Sequence, residues 1–528
     1  MQALDLNNIT LTGELAFRLG RNYSRLEDPM YRAAEIFQAD KQGWPGDWEG
    51  RTILALCLHE RISGRKAAFL DEILEALDTQ WNERGYLKGI CAPDAINEQQ
   101  LSGHNWLLRG LLELYISRDE EKYAKCAKRI VENLYLPLSG RFPTYPTARE
   151  KRTANAEAAG HLGDEIIDGW RLSTDIGCAF ISMDALAQYE TLFADARVRA
   201  LLSEMIAAFR QIDVEKSSLQ THATLSALRG ILRLCEAEPD EELLAFAKEV
   251  FAHYVQYGMT ANYANYNWFE RPYWTEPCAI VDSYMASMAL FRLTQQSEYA
   301  VLANRIYYNA LLASQRPNGG FGCDLCSGTE QSGRFVQANT DVYEAWWCCS
   351  MRGAEGLCSA AANSILTEDG QIWFVHYLPG HFHTEQADID VKTNYPHENR
   401  VQLSLRGIRR ELQLHLYIPQ GTKDVSVQIN GQPQRVQLSD FLRISVCENA
   451  ELELSFSLSP RSVPAGGFFT AKRAQMTMQG DQILSKDADR KLGFLADRIY
   501  TERDQQCRAE ILDLSLIHIS EPTRPLYI

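Results

Sequence analysis

The spacing of apolar residues changes once along this 528-residue chain, at about residue 366. Before that point, apolar side chains recur every three to four residues in about twelve stretches, which is typical of amphipathic helices. After it they alternate with polar residues, as in Val401, Leu403 and Leu405, which indicates half-buried strands. One such run ends in Asn430-Gly431, a pair that favours a tight hairpin turn. The sequence therefore predicts a mainly α protein, with helices first and an antiparallel β-sandwich after them.

Paired helices joined by turns favour an all-α toroid or solenoid, and about twelve helices is the number that an (α/α)6 barrel requires. We predict this barrel for residues 1–366 and the β-sandwich domain for residues 367–513. The last segment, residues 514–528, resembles the translation of a transposase sequencing adapter, so we interpret it as a non-native tail that truncates the β domain. We therefore exclude His518, which lies in this tail, from any functional site.

Charge and composition exclude several classes of partner. The net charge is −16 and no run of lysine or arginine occurs, which argues against nucleic acid and anionic membranes. No apolar run approaches the roughly 20 residues that span a bilayer, and the N-terminus lacks the pattern of a secretory signal. The 13 cysteines are scattered through apolar stretches, as expected for reduced thiols. We predict a cytoplasmic protein with a small-molecule partner.

Two neighbouring cysteines, Cys348 and Cys349, follow a pair of tryptophans. They do not readily bridge each other, because a disulfide needs separated Cα atoms and converging Cβ vectors. About seventy residues earlier, Glu276 and Cys278 supply a carboxylate and a third thiol, which completes a four-ligand set that zinc prefers. The residues alone leave three possibilities open: a zinc site with a reactive thiolate, a closed structural zinc site, or no metal.

The segment Thr275-Glu276-Pro277-Cys278, and the Trp-Cys-Cys segment followed by Gly353 and Gly356, resemble glycoside hydrolase family 127. Characterised members of that family are β-L-arabinofuranosidases built as an (α/α)6 barrel with β-sandwich domains, so the resemblance implies that the barrel is the catalytic domain. In the family, the first cysteine of the adjacent pair, here Cys348, is the nucleophile of a retaining mechanism, whereas most retaining glycosidases use a carboxylate. The resemblance also implies one Zn²⁺ ion with four ligands: Glu276, Cys278, Cys348 and Cys349.

A glycosidase also needs a general acid that protonates the departing oxygen. In the family this acid is a glutamate in a glycine-rich segment upstream of the glutamate ligand, but here that segment is shorter and reads Gly258-Met259-Thr260-Ala261-Asn262-Tyr263. Glu270 is the nearest carboxylate and is therefore the predicted acid, although Arg271 beside it is equally compatible with a surface ion pair. The reserve candidates are the acidic residues of an earlier segment: Asp164, Glu165, Asp168 and Asp175.

Aromatic side chains crowd the two loops that precede the predicted metal ligands, and rings on loops are hard to explain by core packing alone. We predict that Trp268 and Trp347 contact the substrate. His104 and His222 both lie at helix starts and resemble histidine positions that contact the sugar in the family, although a lone histidine is more often structural. Further candidates for lining the mouth of the barrel lie in an early loop: Trp44, Asp47 and Trp48.

Cys323 and Cys326 form a Cys-x-x-Cys pair without further local ligands or a thioredoxin-like context, so we predict a structural role near the first site. The preferred function is a zinc-dependent retaining glycosidase acting on a small oligosaccharide or glycoside, with a homodimer as a possible assembly. Two alternatives stay open. One is a carboxylate-based hydrolase, lyase or epimerase with a structural zinc, and the other is a non-catalytic sugar-binding protein.

Overall fold

A computed structural model describes residues 1–38, 43–147, 162–326, 344–470, 474–486, 492–500 and 510–511, and the structural statements below concern these residues. The predicted non-native tail, residues 514–528, lies outside them.

Thirteen α-helices occupy the described part of the chain up to residue 362. They are α1 Gly13–Leu26, α2 Ala33–Ile36, α3 Asp47–Ser63, α4 Leu70–Leu77, α5 Glu98–Arg118, α6 Glu121–Ile130, α7 Met183–Phe193, α8 Ala196–Phe209, α9 Thr221–Ala237, α10 Glu241–His253, α11 Pro277–Thr294, α12 Ser297–Ile306 and α13 Cys349–Ala362. None of these helices is long and apolar enough to cross a membrane.

Six helices form a closed inner ring in which α3, α5, α7, α9, α11 and α13 each pack on the next and α13 packs on α3. An outer layer of α1, α6, α8, α10 and α12 covers the ring. Helices α6, α8, α10 and α12 each pack on the inner helix that precedes them, and α1 packs on α13 and α3. Inner helices are buried on almost every side, whereas the outer helices bury one apolar stripe. The predicted (α/α)6 barrel is confirmed. Because a helix returns the chain between each inner helix and the next, the inner N-termini gather at one end.

Close packing of α3 against α5 depends on Gly50, which lies in the first turn of α3. A Cβ atom on Gly50 would lie 2.0 Å from the backbone nitrogen of Leu107, so a side chain there would drive the two helices apart. The tight contact fixes the start of α3 against the middle of α5, and both helices contribute residues to the cleft described below.

Twenty short strands complete the described structure. They are β1 Gln2–Ala3, β2 Ile9–Leu11, β3 Ile96–Asn97, β4 Leu162–Ile167, β5 Trp170–Ser173, β6 Ile365–Glu368, β7 Gln371–Phe374, β8 Gly380–His383, β9 Asp388–Thr393, β10 Arg400–Arg406, β11 Leu412–Tyr417, β12 Val425–Ile429, β13 Gln432–Gln434, β14 Phe441–Val446, β15 Ala450–Phe456, β16 Arg461–Pro464, β17 Gln475–Gln479, β18 Gln482–Lys486, β19 Leu492–Phe494 and β20 Glu510–Ile511.

Most of these strands form a sandwich of two sheets, in the orders β1-β6-β7-β11-β14 and β13-β12-β15-β10-β9-β8-β2. Along β10 the residues Val401, Leu403 and Leu405 are buried, as the alternating pattern predicted. Asn430 and Gly431 both have positive φ (49° and 77°) in the β12–β13 hairpin, which confirms the predicted turn. The sandwich is antiparallel except for the pair β7–β11. Strands β1 and β2 tie the beginning of the chain to the sandwich through β6 and β8.

Candidate functional site

Four potential metal ligands converge where two neighbouring inner helices begin. Glu276 and Cys278 lie at the N-terminus of α11, and Cys348 and Cys349 lie at the N-terminus of α13. One ligand atom from each residue lies within 4.8 Å of the other three. The Cys349 sulfur is 3.2 Å from that of Cys348 and 3.7 Å from that of Cys278. The ring therefore joins two sequence segments that are about seventy residues apart.

Local backbone chemistry directs both pairs of side chains into the same space. Pro277 occupies the first turn of α11, and Glu276 before it is extended (φ −130°, ψ 116°). The Glu276 amide donates to the side chain of Asn265 (2.9 Å). On the other side, Cys348 is the non-helical residue before α13, and the Cys349 amide donates to the Ala345 carbonyl (2.9 Å). Each pair thus straddles a helix start, as the sequence predicted.

An arginine from the start of α3 reaches the thiol cluster. Arg51 donates to the Cys278 sulfur (3.3 Å). The Nε of Arg51 donates to both carboxylate oxygens of Asp47 (2.9 and 2.8 Å). Burial opposes ionisation of Cys278, but hydrogen bonds with Cys348 and Cys349 and the charge of Arg51 lower its pKa well below the usual value. Cys278 is therefore the thiol best prepared to be a thiolate.

The donor set suits a thiophilic divalent cation. Burial raises the pKa of Glu276 well above its usual value, and the nearby negative charges of Cys278 and Asp175 raise it further. Burial likewise raises the pKa of Cys349. Buried acidic groups this close together retain protons unless a cation replaces them. Three thiols and one carboxylate are a ligand combination typical of zinc.

A cleft opens beside this cluster at the N-terminal end of the inner ring. Its lining includes the rings of Trp44, Trp274 and Trp347 and the polar side chains of Asp175, Gln220 and His222, next to Glu276 and the two adjacent cysteines. Trp347 is 40% exposed, so its ring faces solvent at the mouth. Cys348 is only partly buried, whereas Cys349 is completely buried. Of the adjacent pair, Cys348 is the thiol that a ligand in the cleft can reach.

His222 presents one ring nitrogen to the cleft. Its Nδ1 lies 2.8 Å from Oδ2 of Asp282, a buried carboxylate on α11, and the ring stacks on Trp106. The carboxylate accepts the Nδ1–H, so Nε2 is the ring nitrogen left for another contact. Within the described residues Nε2 has no hydrogen-bond partner, although it is buried. The prediction that His222 contacts a ligand therefore agrees with its position.

His104 does not line the cleft, contrary to its predicted contact with the substrate. Its Nε2 accepts from the Leu87 amide (2.9 Å) and its Nδ1 bonds to the Gln100 carbonyl (2.8 Å), so both ring nitrogens serve the backbone. Burial lowers the pKa of the ring to about 4, which keeps it neutral. His104 is a structural residue that ties the loop before α5 to that helix.

Glu270 and Trp268 also lie elsewhere than predicted. The segment turns back on itself, with the Arg271 amide donating to the Trp268 carbonyl (3.2 Å) and Glu270 in the left-handed region (φ 61°). Trp268 is completely buried against Trp274. Because Trp268 and Phe269 both turn inward, Glu270 projects into solvent and does not line the cleft. The prediction of Glu270 as general acid is therefore not supported by its position.

The remaining candidates divide between cleft and surface. Asp175, Trp44 and Asp47 line the cleft, whereas Trp48 is buried behind it against Trp346. Glu165 and Asp168 are exposed on the β4–β5 hairpin. The side chain of Asp164 lies outside the described residues. Cys323 lines the cleft, and Cys326 is buried, with its sulfur 3.8 Å from the Asn265 carbonyl.

Two contributors to the site were not identified from sequence. Arg51 contacts the thiols directly, and its spacing of four residues from Asp47 on one helix was the available signal. Asp282 orients His222 from a helix sixty residues away, and no local pattern marks it.

Comparison with known families agrees with this geometry. The sequence model of the β-L-arabinofuranosidase GH127 catalytic domain matches residues 50–362, and that of the GH127 middle domain matches residues 371–459. A search of curated proteins found no match.

Solved structures with the same fold were also found. A GH127 β-arabinofuranosidase is 13% identical (TM-score 0.68) over 92% of this chain and 86% of that one. A glycoside hydrolase is 12% identical (TM-score 0.69), covering 92% and 84%. A GH127 β-L-arabinofuranosidase from Geobacillus stearothermophilus T6 is 13% identical (TM-score 0.63), covering 91% and 86%.

Proposed function

The chain belongs to glycoside hydrolase family 127, and from that premise we propose that this glycosidase is a retaining β-L-arabinofuranosidase with the Cys348 thiolate as nucleophile. The observation that carries the proposal is the meeting of four donor residues, from two distant segments, at the wall of a cleft lined by tryptophan rings. A carbohydrate ring stacked on Trp347 or Trp274 would lie beside the partly exposed Cys348 thiol.

Glu276, Cys278, Cys348 and Cys349 would hold the metal, and zinc is the ion that their chemistry favours. When bound, zinc keeps thiols ionised at neutral pH and makes a sulfur a better leaving group. The protein contributes a buried, negatively charged set of donors and Arg51, which supports the thiolate form of Cys278. We assign Cys349, completely buried, to ligation alone, and Cys348 to ligation and attack.

The reaction would proceed through two displacements at the anomeric carbon. In the first, the Cys348 sulfur bonds to that carbon, the glycosidic C–O bond breaks, and the departing oxygen takes a proton from an acid in the cleft. In the second, the same group removes a proton from water, the water oxygen bonds to the anomeric carbon, and the Cys348 sulfur leaves. Two inversions give net retention.

Asp175 is our candidate for the proton-transferring group. Three described carboxylates line the cleft: Asp47, Asp175 and Glu276. Asp47 holds Arg51, and Glu276 is one of the metal donors, so these two have other roles. Asp175 follows β5, and its backbone amide donates to the Ser173 hydroxyl (3.1 Å). Asp175 lines the same cleft as Glu276, Trp347 and Cys348.

Substitution Asp175→Asn tests this role. We expect kcat/KM on an alkyl or sugar β-L-arabinofuranoside to fall by about 10²–10⁴-fold, since general acid catalysis contributes that much. An aryl glycoside with a good leaving group should lose much less, because its oxygen departs without a proton. Steady-state kinetics on both substrates measure the difference. Asp168→Asn, an exposed carboxylate of the preceding hairpin, is the matched control. Equal losses on both substrates would remove Asp175 from proton transfer.

The function itself is tested by metal analysis combined with product stereochemistry. We expect about one zinc per chain, and hydrolysis of an aryl β-L-arabinofuranoside that first releases the β anomer, as seen by proton NMR. Removing the zinc with a chelator should abolish hydrolysis and lower the melting temperature, because a bound ion stabilises the folded state. Added zinc should restore both. Release of the α anomer, or full activity of zinc-free protein, would contradict the proposal.

A further inference from the structure

A fourth thiol lies beside the predicted metal ligands. Cys323 is partly buried and lines the same cleft as Glu276, Cys348 and Cys349. It is not one of the four residues whose donor atoms lie within 4.8 Å of one another. With Cys278, which completes the donor set behind the cleft, four thiols therefore surround a site that needs four ligands and already contains one carboxylate.

The segment that carries Cys323 is hydrogen-bonded to Thr275, the residue before Glu276. The Thr275 amide donates to the Asp324 carbonyl (2.7 Å), and the Asp324 amide donates to the Thr275 hydroxyl (3.1 Å). Arg316 donates to the Cys323 carbonyl (3.2 Å) and to the Asp324 side chain (3.0 Å). The two bonds with Thr275 fix the backbone directly after Cys323 relative to the first pair of ligands.

The same segment is also attached to the helix that follows the second pair of ligands. The Phe321 amide donates to the Ser350 hydroxyl (3.0 Å), and the Phe321 carbonyl accepts from the Ala345 amide (2.9 Å). Its ring packs directly on α13, where a Cβ atom on Gly353 would lie 2.1 Å from it. Cys323 is therefore held between the two halves of the donor set by bonds to each.

If Cys348 both attacks the sugar and binds the metal, the metal loses one thiolate ligand during the reaction, and a fourth thiol can replace it. When the Cys348 sulfur is bonded to a sugar it is a neutral thioether, a much weaker ligand than a thiolate. Building on the function proposed above, we propose that Cys323 is a reserve metal ligand that supplies the third thiolate while the Cys348 sulfur is alkylated. Ligation would release the Cys323 proton to solvent. The set would then be Glu276, Cys278, Cys323 and Cys349.

Alanine in place of Cys348 imitates the loss of that thiolate without any reaction. We expect Cys348→Ala to keep one metal per chain, and its cobalt form to keep a thiolate-to-metal charge-transfer band as intense as that of wild type. The double variant Cys348→Ala with Cys323→Ala should bind zinc about 10-fold to 100-fold or more weakly than Cys348→Ala, the range that loss of supporting groups gives at zinc sites. Competition with a chelator of known affinity measures this difference.

Cys348→Ala with Cys326→Ala is the matched control, because Cys326 belongs to the same Cys-x-x-Cys pair but bonds to a backbone carbonyl. It should bind zinc as tightly as Cys348→Ala. Equal affinities of all three variants would overturn the role of Cys323. So would a cobalt spectrum of Cys348→Ala with one thiolate fewer than wild type, a result that needs no double variant to fold. Wild-type protein that binds no metal would instead overturn the proposed function, together with this inference.

Discussion

Substituting Cys348 with serine is expected to lower kcat/KM on a β-L-arabinofuranoside by about 10⁴–10⁶-fold, the cost typical of removing a catalytic nucleophile. A serine hydroxyl is nearly the same size but is scarcely ionised at neutral pH, so it attacks an anomeric carbon far more slowly than a thiolate. The partly exposed position of Cys348 at the cleft wall supports this assignment. Steady-state kinetics measure the loss, and circular dichroism with metal analysis shows whether the variant stays folded and metal-bound.

The control for this variant is Cys358→Ser, which changes a thiol on α13, the helix that follows Cys348. Cys358 is buried but lies outside the cleft, so the substitution should reduce stability and leave kcat/KM within a few-fold of wild type. If Cys348→Ser kept zinc and full activity, the nucleophile would have to be a carboxylate. That result would favour the alternative of a carboxylate-based hydrolase with a structural metal.

The change from helices to strands was predictable because it depends only on local periodicity, but some elements were not. Helix α1 was not predicted, because Arg18 and Asn22 interrupt its apolar stripe, although both are completely buried. Arg18 donates to the Leu312 carbonyl (2.9 Å), and Asn22 to the Gly319 carbonyl (3.0 Å). The residues that satisfy them are about three hundred positions away. Strands β1 and β2 were missed for the same reason, since their partners belong to the sandwich.

The set of four potential metal ligands was predictable because all of them lie in two short segments, each at the start of a helix. The histidines were not distinguishable, since what separates them is their partners. His104 hydrogen-bonds to backbone groups close to it in sequence, whereas His222 hydrogen-bonds to Asp282 on another helix. Glu270 was predicted as the acid from its proximity in sequence alone. The aromatic residues before it turn inward and carry it to the surface.

Asp282 lies at the centre of a buried ionic network beneath the cleft, and we expect Asp282→Asn to destabilise the protein strongly. Its oxygens accept from Arg229 (2.7 Å), Ser226 (2.8 Å), Arg352 and His222. Burial alone would raise its pKa, but the charges of Arg352 and Arg229 hold it well below the usual value. A group with a depressed folded-state pKa stabilises the protein above its unfolded pKa of about 3.9 and loses this contribution only in stronger acid.

The substitution leaves two buried guanidinium groups with one carboxylate fewer, so the free energy of unfolding at neutral pH should fall by about 3–5 kcal/mol, as when one partner of a buried ion pair is removed. It should also lower kcat, because an amide does not hold the His222 proton on Nδ1 as a carboxylate does. Denaturant unfolding and kinetics measure the two effects. The control is Asp388→Asn, an exposed partner of His383, which should change stability by about 0–1 kcal/mol. Similar small losses in both variants would show that the network does not stabilise the barrel or orient His222.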